Sequence, residues 1–326
     1  MEIRILRGED VKALLTMEAC IDLMQTTMIA VSEGRARLPL RSLLQVSNGG
    51  LMGNMPGYLA EPECFGVKLV SLFPNNVAAG FSSHLGLVLL FEPEHGRPVA
   101  LLDAAEITAI RTAAVSGLAT RLLARQDAGD LAILGAGEQA RSHLEAMLAV
   151  RPIRRVRVWS RTPENAEAFA AAESARHHLA IEVLADPRDA VSGADIICTV
   201  SKAREPILLG DWIAPGAHLN VVGSSIAQAA EIDTDTVVKS RFFVDYRDST
   251  INEAGEYLRA LKAGAITADH ILGEIGEVAN GTKIGRRDPG DITLYKSLGV
   301  AAEDLASAHY ILEQARAKGV GQTVEF

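Results

Sequence analysis

Apolar positions along the chain change rhythm after an Ala- and Leu-rich stretch at residues 104–124, which predicts a long helix. Before it, short runs dominate. Residues 3–6 read as a brief strand, and residues 17–33 carry apolar side chains at helical spacing. Residues 51–55, 66–70 and 87–91 are strand-like and are separated by Gly, Pro and Asn, with a turn at 92–97. This first stretch predicts an antiparallel or mixed sheet. Beyond the long helix, strands at 131–134, 156–160, 181–184, 196–200, 219–222 and 242–245 alternate with helices at 139–150 and 163–175. Alternation of that kind predicts βαβ units and a parallel sheet. A last helix at about 297–318 is expected to leave this sheet and pack back on the first stretch.

A length of 326 residues suits two domains rather than one core. The expected division is residues 1–112 with 307–326, and residues 113–306. The fold class is α/β: a Rossmann dinucleotide-binding domain plus an α+β domain. Net charge is −9, from 32 basic and 41 acidic residues, so an overall basic field for nucleic acid is absent. The longest apolar runs are strand-length and the N-terminus lacks a signal peptide's apolar core, so neither a membrane span nor export is expected, and the cytoplasm is the default address. Cys20, Cys64 and Cys198 are widely spaced and odd in number; they fit neither a zinc site nor a disulfide framework.

The sharpest local signal is Gly135-Ala136-Gly137-Glu138-Gln139-Ala140, a G-x-G-x-x-A pattern that leaves an apolar strand and opens a helix. Gly135 permits the tight turn, Gly137 lets backbone approach a pyrophosphate, and Ala140 lets helix and strand pack closely. The free N–H groups and positive dipole end of that helix suit phosphates. An NAD site usually carries Asp or Glu at the end of the next strand. Here Ser160-Arg161-Thr162 stands there, and an arginine with two hydroxyls suits a 2′-phosphate. NADPH is therefore expected over NADH. Thr112, Thr199, Val200, Ser201, Val222 and Gly223 complete the expected cofactor set, the last five at strand carboxyl ends where open α/β sheets bind ligands.

Three cations sit among apolar or small neighbours: Arg41, Lys68 and Arg111. Burying them is costly unless an anion meets them, and a substrate carboxylate would serve. A lysine beside two arginines should also have a depressed pKa. Lys68 is thus a candidate either as proton donor or as electrostatic anchor, with Arg111 beside it. His84, His218 and Glu277 are left outside the catalytic set, His218 as a structural group and Glu277 as either a cleft residue or a helix cap.

The chain resembles the ornithine cyclodeaminase/mu-crystallin family over essentially its full length. The carrying segments include Gly66-Val67-Lys68-Leu69-Val70-Ser71, Glu106-Ile107-Thr108-Ala109-Ile110-Arg111-Thr112, Leu134-Gly135-Ala136-Gly137-Glu138-Gln139 and Lys296-Ser297-Leu298-Gly299. The resemblance implies a homodimer whose substrate pocket and interface belong to the domain built from the N-terminal part and the last helix. It implies that Arg41, Lys68 and Arg111 hold the substrate carboxylate. Where cyclodeaminases carry an aspartate for the side-chain amine, this chain has Ser225. The Ser225 departure and the Ser160-Arg161 pair point toward NADPH-dependent reduction of small 2-imino acids. An amino-acid dehydrogenase, a cyclodeaminase and an NADPH-regulated binding protein are the rivals. Residues 48–58 and 74–83 hold no charged side chain, which suggests an apolar or cyclic substrate.

Overall fold

The structure is a computed structural model that describes residues 2–325 apart from 74, 75, 77, 78, 82 and 83, and apart from the side chains of Asn48 and His84. Most of the segment expected at 74–83 thus lies outside the described residues, as does the His84 side chain. The chain forms two compact units, residues 1–112 with 300–326, and residues 113–299.

Along the first unit run β1 (Glu2–Leu6), α1 (Gly8–Leu14), α2 (Met17–Ser32), β2 (Ala36–Arg37), β3 (Ser42–Gln45), β4 (Leu51–Ala60), β5 (Glu63–Leu72), β6 (His84–Phe91), β7 (Pro98–Asp103) and the start of α3 (Ala104–Leu123). The second unit holds the rest of α3, then β8 (Asp130–Leu134), α4 (Glu138–Val150), β9 (Arg155–Trp159), α5 (Pro163–His177), β10 (Ile181–Val183), α6 (Pro187–Val191), β11 (Ile196–Thr199) and β12 (His218–Val221). It continues with α7 (Thr234–Lys239), β13 (Arg241–Val244), α8 (Arg247–Glu253), α9 (Gly255–Lys262), β14 (Ile271–Glu274), α10 (Ile275–Ala279) and β15 (Thr293–Lys296). The chain then returns to the first unit as α11 (Ala301–Lys318) and β16 (Gln322–Glu325).

The first sheet has the order β16-β1-β7-β6-β5-β4-β2, with β3 also on β4. It is mixed: β1 runs parallel to β7 and the other pairs are antiparallel. Helix α11 packs on β4, β5, β6 and α2. Two glycines allow that approach. A Cβ at Gly57 would stand 3.0 Å from the Ala301 Cβ, and one at Gly66 would stand 2.9 Å from Leu305 Cδ2 and 2.2 Å from Leu89 O. Period-two burial along β5 puts Cys64, Gly66 and Lys68 on one face, the face that α11 covers. The helix begins at Ala301 rather than 297, because Thr293–Lys296 is a strand and 297–300 link it to the helix. Residue 307, the expected boundary, falls inside α11, whose buried side runs from Ala301 to Ala315.

The second sheet is parallel throughout, in the order β10-β9-β8-β11-β12-β15-β13-β14. The strand order reverses between β8 and β11, so their carboxyl ends flank the crevice where such sheets take ligands. β15, absent from the sequence expectation, sits between β12 and β13. Its Thr293-Leu294-Tyr295-Lys296 is fully buried yet half polar, so no apolar run announces it. No single helix among the described residues is long and apolar enough to cross a membrane.

Candidate active site

In the second unit, β8 ends at Leu134 and the chain turns at Gly135, whose φ is +130°. A side chain there would be strained, and its Cβ would stand 2.6 Å from Val200 O. The Gly135 N–H donates to Trp159 O at 2.8 Å, tying the loop to β9. Gly137 is the N-cap of α4 and provides no side-chain cap, and a Cβ built on it meets nothing within 4 Å. The first turn of α4 therefore offers bare N–H groups at an open, side-chain-free approach, which fits a dinucleotide pyrophosphate. Ala136, Glu138 and Gln139 lie in the same turn, partly or fully exposed, while Ala140 is buried against the sheet. His143 fastens the helix from inside, its ring bonding Gln139 O at 2.7 Å and the Ser116 hydroxyl at 3.0 Å.

At the end of β9, Ser160 is half-buried and Arg161 and Thr162 are exposed. The Ser160 hydroxyl accepts from Thr162 N at 3.3 Å, and Arg161 makes no ion pair with the described residues. Thr112 is buried and its hydroxyl has no hydrogen-bond partner among the described residues.

Thr199, Ser201 and Gly223 lie at the ends of β11 and β12 as expected, but their hydrogen-bonding groups are turned to a residue that sequence reasoning missed. Glu231, wholly buried, accepts from the Thr199 hydroxyl at 2.8 Å, from Ser201 N at 2.7 Å and Oγ at 2.6 Å, and from Gly223 N at 2.6 Å. Burial pushes its carboxyl above the usual range, against the pull of the Ser201 bonds. Val200 and Val222 are buried, and Ser225 is half-buried.

In the first unit the structure brings Lys68 and Arg111 together. Lys68 is 3% exposed and Arg111 4%. Buried charges of this kind need an anion, and a substrate carboxylate is the expected one. The chain supplies its own, on the first turn of α11. Lys68 Nζ donates to Asp304 Oδ1 at 2.9 Å, Arg111 Nε donates to the same oxygen at 3.0 Å, and Arg111 Nη1 pairs closely with Glu303. Glu303 and Asp304 are fully buried. Lys68 keeps two N–H donors, and Arg111 its Nη2 edge, with no partner among the described residues. Asp304 Oδ2 is buried without a donor.

Lys68 is depressed to about 8, as expected, but the cause differs. Burial is the main influence; Asp304 opposes it, and Arg111 adds to it. Arg41, half-buried ahead of β3 and engaged in contacts of its own, is not among the principal influences on Lys68. Burial alone would lower Arg111 as well, but Asp304 and Glu303 outweigh it and hold the guanidinium charged. The cluster thus holds two cations and two anions, and its spare capacity consists of N–H donors plus one acceptor. Such a site can take a carboxylate and pass a proton.

The other candidates resolve simply. His218 bonds the Thr293 hydroxyl at 3.0 Å and burial drives it down to about 3, a structural role. Glu277 caps α10 by accepting from Glu274 N at 2.9 Å. All three cysteines are buried and free, their thiols pushed up to about 12 by burial, so none is a ready nucleophile.

Comparison with known proteins agrees with this architecture. The chain is 38% identical over 282 residues to the mouse (Mus musculus) ketimine reductase mu-crystallin, 86% of each protein. The solved structure of Thermococcus litoralis Δ1-pyrroline-2-carboxylate reductase, in complex with NADH and L-proline, superposes with a TM-score of 0.96 at 38% identity, covering 99% of this chain and 100% of that one. An archaeal alanine dehydrogenase dimer with bound NAD superposes at 0.94 and 29% identity, covering both chains fully. Residues 1–319 match the ornithine cyclodeaminase/mu-crystallin family, and the chain belongs to it.

Proposed function

We propose that the chain is an NAD(P)H-dependent reductase of small 2-imino acids, with cyclic ketimines of the pyrroline- or piperideine-2-carboxylate class as substrates. The observation that carries the reading is the buried Lys68–Arg111–Glu303–Asp304 cluster, which is charge-balanced by itself and still holds unspent N–H donors. The Thermococcus reductase with NADH and L-proline and the mouse ketimine reductase support the same chemistry.

The substrate carboxylate binds the free Arg111 edge, with Arg41 as a further anchor, bidentate geometry fixing its orientation. Lys68, protonated at neutral pH with a pKa near 8, gives its proton to the imine nitrogen and recovers one from solvent. Asp304 holds the Lys68 ammonium in place through its Oδ1. The dinucleotide, when bound at the Gly135–Gln139 turn, supplies the hydride that reduces the imine carbon. Gly137 leaves the α4 terminus open to the pyrophosphate, and Ser160, Arg161 and Thr162 hold the adenosine ribose. Arg161, exposed and unpaired among the described residues, favours a 2′-phosphate and hence NADPH, with NADH as the second cofactor. Ser225 in place of an acidic residue disfavours handling of a side-chain amine. Exposed Leu40, Leu43, Leu44, Met52, Leu85 and Leu87 on the first unit support a homodimer interface there.

The test is consumption of NADPH with five- and six-membered cyclic imino acids. Turnover that is lost in Lys68→Met, with dinucleotide still bound, is the expected result. Bound dinucleotide with no turnover on either ring would overturn the reading. Likeness to alanine dehydrogenase favours amino-acid dehydrogenation as the second reading, which would instead show turnover with a keto acid and ammonia.

A further inference from the structure

Four donors converge on the Glu231 carboxylate, and they come from two segments. Oε1 accepts from Ser201 N and Oγ, and Oε2 accepts from the Thr199 hydroxyl and Gly223 N. Thr199 and Ser201 form the exit of β11, and Gly223 the exit of β12. These two strands are parallel neighbours, so their exits share the ligand-binding edge of the sheet. Gly223 is shaped for this contact, since a Cβ there would stand 2.4 Å from Glu231 Oε1 and 2.2 Å from Ser201 O.

Glu231 is itself braced from the interior. Its N–H donates to Glu256 Oε1 at 3.1 Å, and Glu256 also accepts a close bond from the Ser224 hydroxyl. Lys296 Nζ donates to Ser224 O at 2.5 Å and Oγ at 3.0 Å, and lies 3.4 Å from Glu256 Oε2. Glu231, Glu256 and Lys296 are all buried. A buried, internally braced carboxylate thus adds side-chain bonds between two strand exits that are already joined at the backbone, where Val222 N and Gly223 N donate to Thr199 O at 3.0 and 3.1 Å.

We propose that Glu231 is a positioning residue of the dinucleotide site. It touches no ligand; it holds the Thr199–Ser201 and Gly223–Ser225 segments at the separation that receives the nicotinamide end. The proposal rests on the dinucleotide reading of the Gly135–Gln139 turn, and it reassigns Thr199, Ser201 and Gly223 from direct polar contacts to parts of a clamp.

Glu231→Gln keeps the shape of the side chain. Its amide nitrogen cannot accept, so whichever way the amide lies one backbone N–H, that of Ser201 or of Gly223, loses its bond to this side chain, and the hydroxyl beside it must turn round to accept. Binding of NADH and NADPH to substrate-free protein is followed by nicotinamide fluorescence, with melting temperature measured in parallel. The expected result is a Kd raised about tenfold in the folded fraction, because the clamp loses part of its hold on the two segments. Glu231→Ala should weaken binding further. A Kd within twofold of wild type in Glu231→Gln, with or without a lower melting temperature, would overturn the proposal and leave Glu231 a structural brace. Should Glu231→Gln fail to fold, Thr199→Val removes one bond; a Kd about threefold higher supports the clamp, and an unchanged Kd overturns it. Wild-type protein that binds neither dinucleotide would instead sink the dinucleotide reading, and this proposal with it.

Discussion

Replacing Asp304 by Asn tests how the buried cluster sets the charge of Lys68. The change keeps side-chain volume and removes one negative charge 2.9 Å from Lys68 Nζ. At an effective dielectric of about 20, that attraction is worth roughly 6 kcal/mol. Even a third of it, about 2 kcal/mol, is worth roughly 1.5 pKa units. Lys68 starts near 8, with burial pulling it down and Asp304 holding it up. Without Asp304 the ammonium should lose its proton below pH 7. The sign follows from its role as acid: imine reduction needs protonated Lys68, so the rate falls as pH rises through its pKa. The assay is kcat/KM for NADPH-dependent reduction of a cyclic imino acid across pH 5.5–9.5. Wild type should lose activity above about pH 8. Asp304→Asn should lose it from below pH 7, falling about tenfold or more at pH 7.5 and recovering toward pH 5.5. An alkaline limb at the same pH in both proteins, with Asp304→Asn folded by circular dichroism, would refute the assignment.

Three further outcomes are expected. Arg161→Asp should lower kcat/KM with NADPH about tenfold or more through loss of a charge-assisted contact, and leave NADH turnover nearly unchanged; equal losses with both would remove Arg161 from the 2′-phosphate site. Gly135→Ala places a Cβ 2.6 Å from Val200 O at a φ of +130°, which should cost about 1–3 kcal/mol and weaken dinucleotide binding; a melting temperature and Kd equal to wild type would contradict the strained turn. His143 and His218 are held down to about 4 and about 3 by burial, from 6.5, so between pH 6.5 and 4 the unfolded chain binds protons that the folded chain does not. Stability should therefore drop as pH falls, by about 2 kcal/mol per histidine at pH 5, and His143→Gln should flatten the fall; an unchanged slope in denaturant titrations at pH 7.5 and 5 would refute it.

Much of this architecture is legible in the sequence because it rests on local periodicity. The apolar runs of β8 and β11, the alternating valines of β9, the apolar end of β12 and the glycine spacing after Leu134 betray βαβ units without tertiary information. What stays hidden is set by long-range packing. β15 is half polar and gains its place only between β12 and β13. Lys68 could face either side of its strand until α11 covers one of them. Its partners Glu303 and Asp304 stand more than two hundred residues along the chain, and Glu303-Asp304 looks like an ordinary acidic first turn of a helix. Glu231 is hidden for the same reason: nothing in Ala230-Glu231-Ile232 indicates that four donors from two other segments meet there. The one available signal is the burial cost itself. Charged residues in apolar company imply partners, although sequence alone does not say whether substrate or protein supplies them.

Imine reduction by this chain requires a hydride to pass from a reduced nicotinamide to the imine carbon of a 2-imino acid. The measurement uses NADPH carrying deuterium at both C4 positions of the nicotinamide, five- and six-membered cyclic imino acids, and mass spectrometry with NMR of the amino-acid product. The expected product carries a single deuterium on its α-carbon and forms in step with dinucleotide oxidation. Product without α-deuterium, or no product while the dinucleotide is bound, would rule out hydride transfer to the imine carbon.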